Sequence, residues 1–120
     1  MLGLRKNVYG DGQWGMPGGR ISLKEPIEQT VKREMLEETN LHISKTRFIG
    51  VVREFQGPHD FITFGFVSEE HTRELKNLEP EKCEEFKWID LSELPMDMLK
   101  SHRALLDMYK NKSIGLKDLT

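Results

Sequence analysis

Hydrophobic positions divide the chain into two stretches of helical spacing and several of strand-like spacing. Residues 26–39 place Ile27, Val31 and Met35 four positions apart, which predicts a helix with these three side chains as its buried stripe. Residues 97–112 show similar spacing and predict a second helix. The apolar face of this second helix should consist of Met98, Leu105, Leu106 and Tyr109.

Shorter apolar runs predict the strands. Residues 42–56 and 61–70 form two of them, joined by a turn at 57–60, and residues 1–6 and 86–91 form two more. Strands that alternate with helices, with no repeat or linker between them, predict one α/β (α+β) domain over the whole chain of 120 residues.

Composition and charge exclude several classes of protein. Apolar residues make up 37% of the chain and charged residues 32%, as expected of a soluble globular domain. A net charge of −2 gives no reason to expect a nucleic-acid polymer or a membrane surface as partner. No run reaches the roughly 18 apolar residues of a membrane span. Because Cys83 is the only cysteine, no internal disulfide can form, and we expect a cytoplasmic protein.

Three glutamates crowd one face of the first predicted helix. Glu34, Glu37 and Glu38 fall within a sector of about 100°, and like charges three or four residues apart repel by roughly 0.2–0.5 kcal/mol per pair. They also lie near the C-terminus of the helix, where the helix dipole disfavours negative charge. A solvated acidic face is the simplest interpretation. However, Arg33 can pair with Glu37, and a hard cation such as Mg²⁺ or Mn²⁺ would remove the repulsion.

Residues 19–41 resemble the Nudix box, which has the order Gly, five residues, Glu, seven residues, Arg-Glu, aliphatic, any residue, Glu-Glu, any residue, Gly, aliphatic. One position departs from it, because Asn40 stands where the family has glycine. Asparagine is the next best residue for a left-handed helix cap, so we expect the helix to end normally there. The matching positions are Gly19, Glu25, Arg33, Glu34, Met35, Glu37, Glu38 and Leu41.

The resemblance implies the Nudix fold, a mixed β-sheet between helices, and hydrolysis of a nucleoside diphosphate linked to another group. It implies that three glutamates share metal binding and general-base duty, without showing which is the base, and that Arg33 orients one of them. Glu25 would support the loop or a second metal, while the backbone of Gly18 and Gly19 would contact substrate. The implied metal ligands are Glu34, Glu37, Glu38 and Gly19, with Mg²⁺ as the cofactor and Mn²⁺ as a substitute.

The late segment 77–95 is similar to that of the MutT-like nucleoside triphosphate diphosphatases, especially their eukaryotic-type branch, so the likeness covers about residues 1–110. In that family a late glutamate often completes the site. Glu81 and Glu84 are candidates here, with a solvated loop as the equal alternative. The expected reaction converts nucleoside triphosphates, including oxidised ones such as 8-oxo-dGTP, to nucleoside monophosphate and pyrophosphate.

Two other functions remain open at this point. One is hydrolysis of another nucleoside diphosphate derivative, such as a nucleotide sugar or a dinucleotide. The other is a Nudix-fold binding module without turnover, and the complete set of glutamates argues against it. Phe64 is expected in the core, with stacking on a nucleotide base as the alternative. Arg5 and Lys6 are expected in solvent, and the four histidines in structural or exposed positions.

The resemblance also predicts an uncovered sheet edge. Family members usually have one more strand ahead of the segment that corresponds to residues 1–6, and this chain starts inside the expected sheet. Either an upstream segment, a partner chain or a rearranged edge should cover the exposed strand. We therefore expect a homodimer.

Overall fold

The computed structural model describes residues 1–119 and contains two helices and eight strands within them. The α+β class predicted from the sequence is confirmed. Within the described residues, no helix has the length and apolarity needed to cross a membrane. The helices are α1 (Ile27–Thr39) and α2 (Lys100–Lys110), with a 3-10 turn at Leu91–Glu93. The strands are β1 (Leu2–Arg5), β2 (Trp14–Gly15), β3 (His42–Ile43), β4 (Arg47–Gln56), β5 (His59–Val67), β6 (His71–Thr72), β7 (Cys83–Lys87) and β8 (Leu116–Asp118).

The strands form three small sheets. β1 lies between β2 and β7, β3 pairs with β6, and β4 lies between β5 and β8. The predicted uncovered edge at residues 1–6 is wrong, because β1 has a neighbouring strand on each side. The last sheet is mixed, because β5 runs antiparallel and β8 parallel to β4. The β4–β5 register runs from Arg47 opposite Val67 to Gln56 opposite His59, so the connecting turn is shorter than predicted. β2, β6 and β8 are too short to leave a periodic signal in the sequence.

Several predicted boundaries differ from the observed ones. The predicted strand 42–56 divides into β3 and β4, and the predicted strand 86–91 starts earlier and ends earlier as β7. β7 stops at Lys87 because its antiparallel pairing with β1 ends there, where Leu2 lies opposite Lys87. The second helix starts three residues later than predicted, since the segment ahead of it makes a β-bridge between Met98 and Trp14.

Both ends of α1 have clear local causes. Pro26 precedes the helix in an extended conformation, and its missing N–H would have had no partner in the first turn. Asn40 ends the helix with φ of 66°, and its N–H donates to the carbonyl of Leu36. The predicted left-handed cap at Asn40 is confirmed.

The hydrophobic core lies between α2 and one face of the β4 sheet. Leu105 and Val52 are fully buried, and Ile49 and Ala104 complete the cluster. Methionine and tyrosine side chains pack around it, including those of Met108 and Tyr109. The predicted apolar face of the second helix is therefore confirmed at its centre.

The predicted buried stripe of α1 is wrong. Ile27 is 41% exposed, Val31 and Met35 are only half-buried, and the buried residues of this helix are Thr30 and Thr39. The stripe lines an open cleft whose opposite wall includes β5. Helical spacing identifies which face of a helix is apolar, but it carries no information about whether another element covers that face.

Candidate active site

The loop that leads into α1 is anchored to the region around the start of α2. The N–H of Trp14 donates to the carbonyl of Asp97 at 2.7 Å, and the N–H of Leu99 donates to the carbonyl of Trp14 at 2.9 Å. Two residues further on, the N–H of Met16 donates to Nδ1 of His102 at 2.8 Å. These three hydrogen bonds fix the position of the backbone that leads to Gly18 and Gly19.

Two carboxylates of α1 meet this glycine turn. The N–H of Gly18 donates to Oε2 of Glu38 at 3.1 Å. The carboxylate of Glu34 occupies the space where a Cβ on Gly19 would be, so any side chain there would displace it. Glycine at position 19 is thus required by the close approach of Glu34.

Glu38 has an unusual electrostatic environment. Burial raises the pKa of its carboxyl to about 7, and the negative charges of Glu34 and Glu79 act in the same direction. The hydrogen bond from Gly18 and the positive charge of Arg5 act against this rise. A carboxylate in such surroundings is poorly solvated and has nearby negative charge, both of which favour a proton or a cation beside it.

Arg33 is the centre of a charge network on the neighbouring part of α1. Its Nε and Nη2 donate to the two oxygens of Glu25 at 2.7 and 2.9 Å. Its Nη1 donates to Oε1 of Glu34 at 2.8 Å and to Oε2 of Glu37 at 3.2 Å. The expected pairing with Glu37 is present, but Arg33 also holds two further carboxylates.

The carboxylate of Glu25 accepts hydrogen bonds from three residues of the same chain. Besides Arg33, it accepts hydrogen bonds from the hydroxyl of Thr30 at 2.6 Å and from the N–H of Ser22 at 3.3 Å. The hydrogen bonds from Arg33 and Thr30 lower the pKa of Glu25 to about 2. Glu25 therefore links Arg33 to the backbone of the loop at Ser22.

The donor atoms suit a hard divalent cation, although the carboxylates do not converge by themselves. Across residues 1–119, no group of three His, Cys, Asp or Glu side chains is arranged to hold a metal. Glu37 has a side chain 51% exposed and turned to Arg33. Glu34 and Glu38, with the backbone of the Gly18–Gly19 turn, supply the oxygen ligands that Mg²⁺ or Mn²⁺ prefers.

A cleft of about 1010 Å³ opens beside the glycine turn. Gly18, Gly19 and Glu34 line it together with the apolar side chains of α1 and of β5. Phe64 lies in its wall and is 45% exposed, so the expectation that it belongs to the core is wrong. Phe64 and Phe66 share a face of the sheet, as the alternation predicted.

Comparison with known proteins decides the family. A model of the NUDIX domain matches residues 2–109. The chain belongs to the NUDIX domain family. It is 30% identical to the oxidized purine nucleoside triphosphate hydrolase of Danio rerio, over 96% of this chain and 75% of that protein. It is 31% identical to the protein of the same name in Mus musculus, over 79% of this chain and 60% of that protein.

A solved structure agrees with this assignment. The MutT NUDIX hydrolase from Burkholderia pseudomallei superposes with a TM-score of 0.85 and 27% sequence identity, covering 89% of this chain and 84% of that one. Residues 19–41, which carry the Nudix box, therefore lie in a Nudix fold. Enzymes of this family generally use divalent metal cations.

The late glutamates of this Nudix domain lie in different places. The backbone carbonyl of Glu81 accepts a hydrogen bond from Asn7, and Glu84 lines a separate, smaller cleft beside β1. Glu79 is the late glutamate whose charge acts on Glu38. It follows Leu78, whose N–H donates to the carbonyl of Glu38 at 3.1 Å. Sequence reasoning missed Glu79, because three glutamates occur within six residues and only the backbone pairing with α1 distinguishes them.

Two basic residues, Arg5 and His102, make contacts that the sequence did not predict. Arg5 is not a solvated residue, because its guanidinium is partly buried, its Nε donates to the carbonyl of Tyr9 at 2.7 Å and burial lowers its pKa. His102 is structural, as predicted, but it contacts the loop that carries the glycine turn. No sequence signal connects residues 86 positions apart.

Proposed function

We propose that this Nudix domain hydrolyses nucleoside triphosphates, including oxidised purine nucleotides, to nucleoside monophosphate and pyrophosphate. The observation that carries the proposal is the pair Glu34 and Glu38 facing the Gly18–Gly19 turn at the edge of a cleft. Relatives named as oxidized purine nucleoside triphosphate hydrolases support the choice of substrate.

The proposed cofactor is Mg²⁺, with Mn²⁺ as a substitute. Bound at the carboxylates, the cation would neutralise phosphate charge and provide a positioned water for attack on phosphorus. Glu34 and Glu38 would be its main ligands, a backbone carbonyl at Gly19 would add another, and Glu37 would complete the set from the rim. One of these glutamates would accept the proton of the attacking water.

The roles of the charged neighbours follow from their contacts. Arg33 keeps Glu34 and Glu37 at fixed positions along α1, and Glu25 keeps Arg33 in place from the other side. We propose that Arg33 and Glu25 position the acidic residues and do not contact substrate. We propose Glu79, in place of Glu81 or Glu84, as the late glutamate of the site, because its charge acts directly on Glu38.

The cleft supports a nucleotide as ligand. Its volume of about 1010 Å³ lies at the upper end of small-molecule sites, which usually measure about 300–1,000 Å³. Phosphates would lie at the Gly18–Gly19 end, beside the cation. Phe64, half-exposed in the same wall, offers an aromatic face to a nucleotide base.

The experiment is a panel of nucleotides incubated with Mg²⁺, with products separated by chromatography. We expect triphosphates, including 8-oxo-dGTP, to be cleaved to monophosphate and pyrophosphate faster than ADP-ribose or a UDP-sugar. Equal or faster turnover of the last two would overturn the substrate assignment in favour of another nucleoside diphosphate derivative. Binding without any turnover would favour a non-catalytic module.

Glu28→Gln changes an exposed glutamate at the start of α1. It is the matched control for substitutions within the charge network.

We also propose that the chain is one Nudix domain over residues 1–120, that it acts in the cytoplasm and that it forms a homodimer. The support for a dimer is an exposed apolar surface on the β4 sheet. Light scattering at micromolar concentration should give twice the monomer mass of 14.0 kDa. A monomer under those conditions would overturn the dimer without affecting the proposed reaction. The exposed side chains outside the cleft are Phe48, Phe55 and Leu116.

A further inference from the structure

His102 is a half-buried histidine on α2 that accepts a hydrogen bond from the backbone of the loop before α1. The N–H of Met16 donates to its Nδ1 at 2.8 Å. A ring nitrogen that accepts a hydrogen bond carries no proton, so the neutral ring must hold its proton on Nε2. Burial and the charge of Arg5 both lower the pKa of His102, to about 4. The ring therefore stays neutral near pH 7 and remains an acceptor.

The bonded segment of the loop is very short. From Met16 to Gly18 it contains two backbone N–H groups, since Pro17 has none. The N–H of Met16 bonds to His102 on α2, and the N–H of Gly18 bonds to Glu38 on α1. Two residues of chain thus connect a side chain of one helix to a carboxylate of the other.

The alternative anchor of this loop lies further from the glycine turn. Trp14 is fixed by two hydrogen bonds, to Asp97 and from Leu99. Gly15 follows it, and the space above its Cα is already occupied by side chains that include His102. Gly15 is also paired with Gly3 of β1, so without the bond to His102 the nearest anchored residue would lie three positions before the N–H that contacts Glu38.

We propose that His102 is a positioning residue, whose neutral ring holds the Met16–Gly18 turn so that the N–H of Gly18 meets the carboxylate of Glu38. His102 acts through the loop and does not contact the reacting atoms. Its importance for turnover rests on the proposed function, whereas its effect on the turn does not.

The test compares His102→Asn with His102→Leu. The amide oxygen of asparagine can take the place of Nδ1 as acceptor, while leucine fills the space without an acceptor. We expect His102→Asn to keep the amide signals of Met16 and Gly18 in ¹H–¹⁵N spectra close to those of the wild type. In His102→Leu the signals of both amides should shift and their hydrogens should exchange faster. We expect kcat to fall by roughly tenfold or more with KM changed little, because small misplacements at a reacting centre have large effects.

Two controls keep the result interpretable. Lys100→Ala changes an exposed residue of the same helix that lies outside the cleft and should leave both amides and kcat unchanged. If His102→Leu does not fold, His102→Gln replaces it. Glutamine carries its acceptor one carbon further out, so its amide signals and kcat should change as expected for His102→Leu. A leucine or glutamine variant with an unaltered Gly18 amide and unaltered kcat would overturn the proposal. The amide measurement needs no turnover, so a failure of the proposed function would be recognised separately.

Discussion

The two helices of this Nudix domain are held in different ways. α2 buries Leu105 completely and packs on the β4 sheet together with Ala104. α1 exposes 41% of Ile27, and its buried side chains are those of Thr30 and Thr39. Its contacts are mainly polar, through the network of Arg33 on one side and backbone hydrogen bonds from the loop at 76–78 at its end.

This difference means that α2 contributes mainly to stability, whereas α1 carries the acidic residues of the proposed site. Burial of apolar side chains is the main stabilising contribution to a fold, and in this molecule it is concentrated around α2. α1 instead carries like charges close together and one poorly solvated carboxylate, both of which are unfavourable without a cation. The face of α1 that lines the cleft cannot at the same time pack against the hydrophobic core. Substitutions on the two helices should therefore affect different measurements.

The largest effect is expected for Glu38→Gln. Turnover should fall by about 10²–10⁴-fold, the usual contribution of a group that assists proton transfer or charge stabilisation. Stability without metal should be unchanged or slightly higher, because the substitution removes repulsion from Glu34 and Glu79 worth some tenths of a kcal/mol. Steady-state kinetics and denaturant unfolding measure the two quantities.

Added Mg²⁺ sharpens this prediction. A ligand stabilises only the state that binds it, so Mg²⁺ should raise the melting temperature of the wild type more than that of Glu38→Gln. The control Glu28→Gln should respond to Mg²⁺ as the wild type does. Equal shifts in wild type and Glu38→Gln, with no loss of activity, would mean that the acidic face is only solvated.

Leu105→Ala should have the largest effect on stability. Leu105 is fully buried between α2 and β4, and such a truncation costs about 2–5 kcal/mol in lost burial and cavity formation. Val31→Ala on the half-buried stripe of α1 should cost about 1 kcal/mol or less. Urea unfolding of the two variants compares the helices directly. Similar losses would show that the stripe of α1 is covered in solution, as it would be if a second copy occupied the cleft.

His102 should make stability depend on pH in a window set by its two pKa values. The unfolded chain takes up a proton near the ordinary value of 6.5, whereas the folded protein does so only near 4. The stabilisation is therefore complete above pH 6.5 and is lost as the pH falls towards 4, by about 3 kcal/mol. The charged neighbour that contributes to this is Arg5.

Comparison with His102→Asn isolates this effect from the titration of the carboxylates. The variant should lose less stability than the wild type between pH 7 and pH 4, although it starts from a lower value. Thermal melts at several pH values measure both curves. Parallel curves for the two proteins would contradict a histidine that stays neutral in the folded protein.

Local features were predictable from the sequence, and contacts between distant segments were not. The spacing of Arg33, Glu34, Glu37 and Glu38 depends on one helix, so their common face could be derived from helix geometry. The cap at Asn40 likewise depends on its own backbone. The contact of His102 with Met16 and the approach of Glu79 to Glu38 depend on how the chain returns to α1. The exposed stripe of α1 belongs to the same group, because burial depends on what packs against a face.

Asn40→Gly should have the smallest effect on stability, because it changes two opposing contributions at the end of α1. Asn40 has φ of 66°, a conformation that glycine adopts without a Cβ penalty, which favours the variant. Its side chain, however, donates a hydrogen bond to the carbonyl of Glu74 at 2.8 Å, and an exposed hydrogen bond of this kind contributes about 0.5–1.5 kcal/mol. The two contributions nearly cancel, so chemical denaturation should place Asn40→Gly within about 1 kcal/mol of the wild type. Asn40→Ala has neither advantage and should be the less stable of the two. A loss beyond that limit for Asn40→Gly would mean that the loop at 73–78 depends on the Asn40 side chain to reach α1.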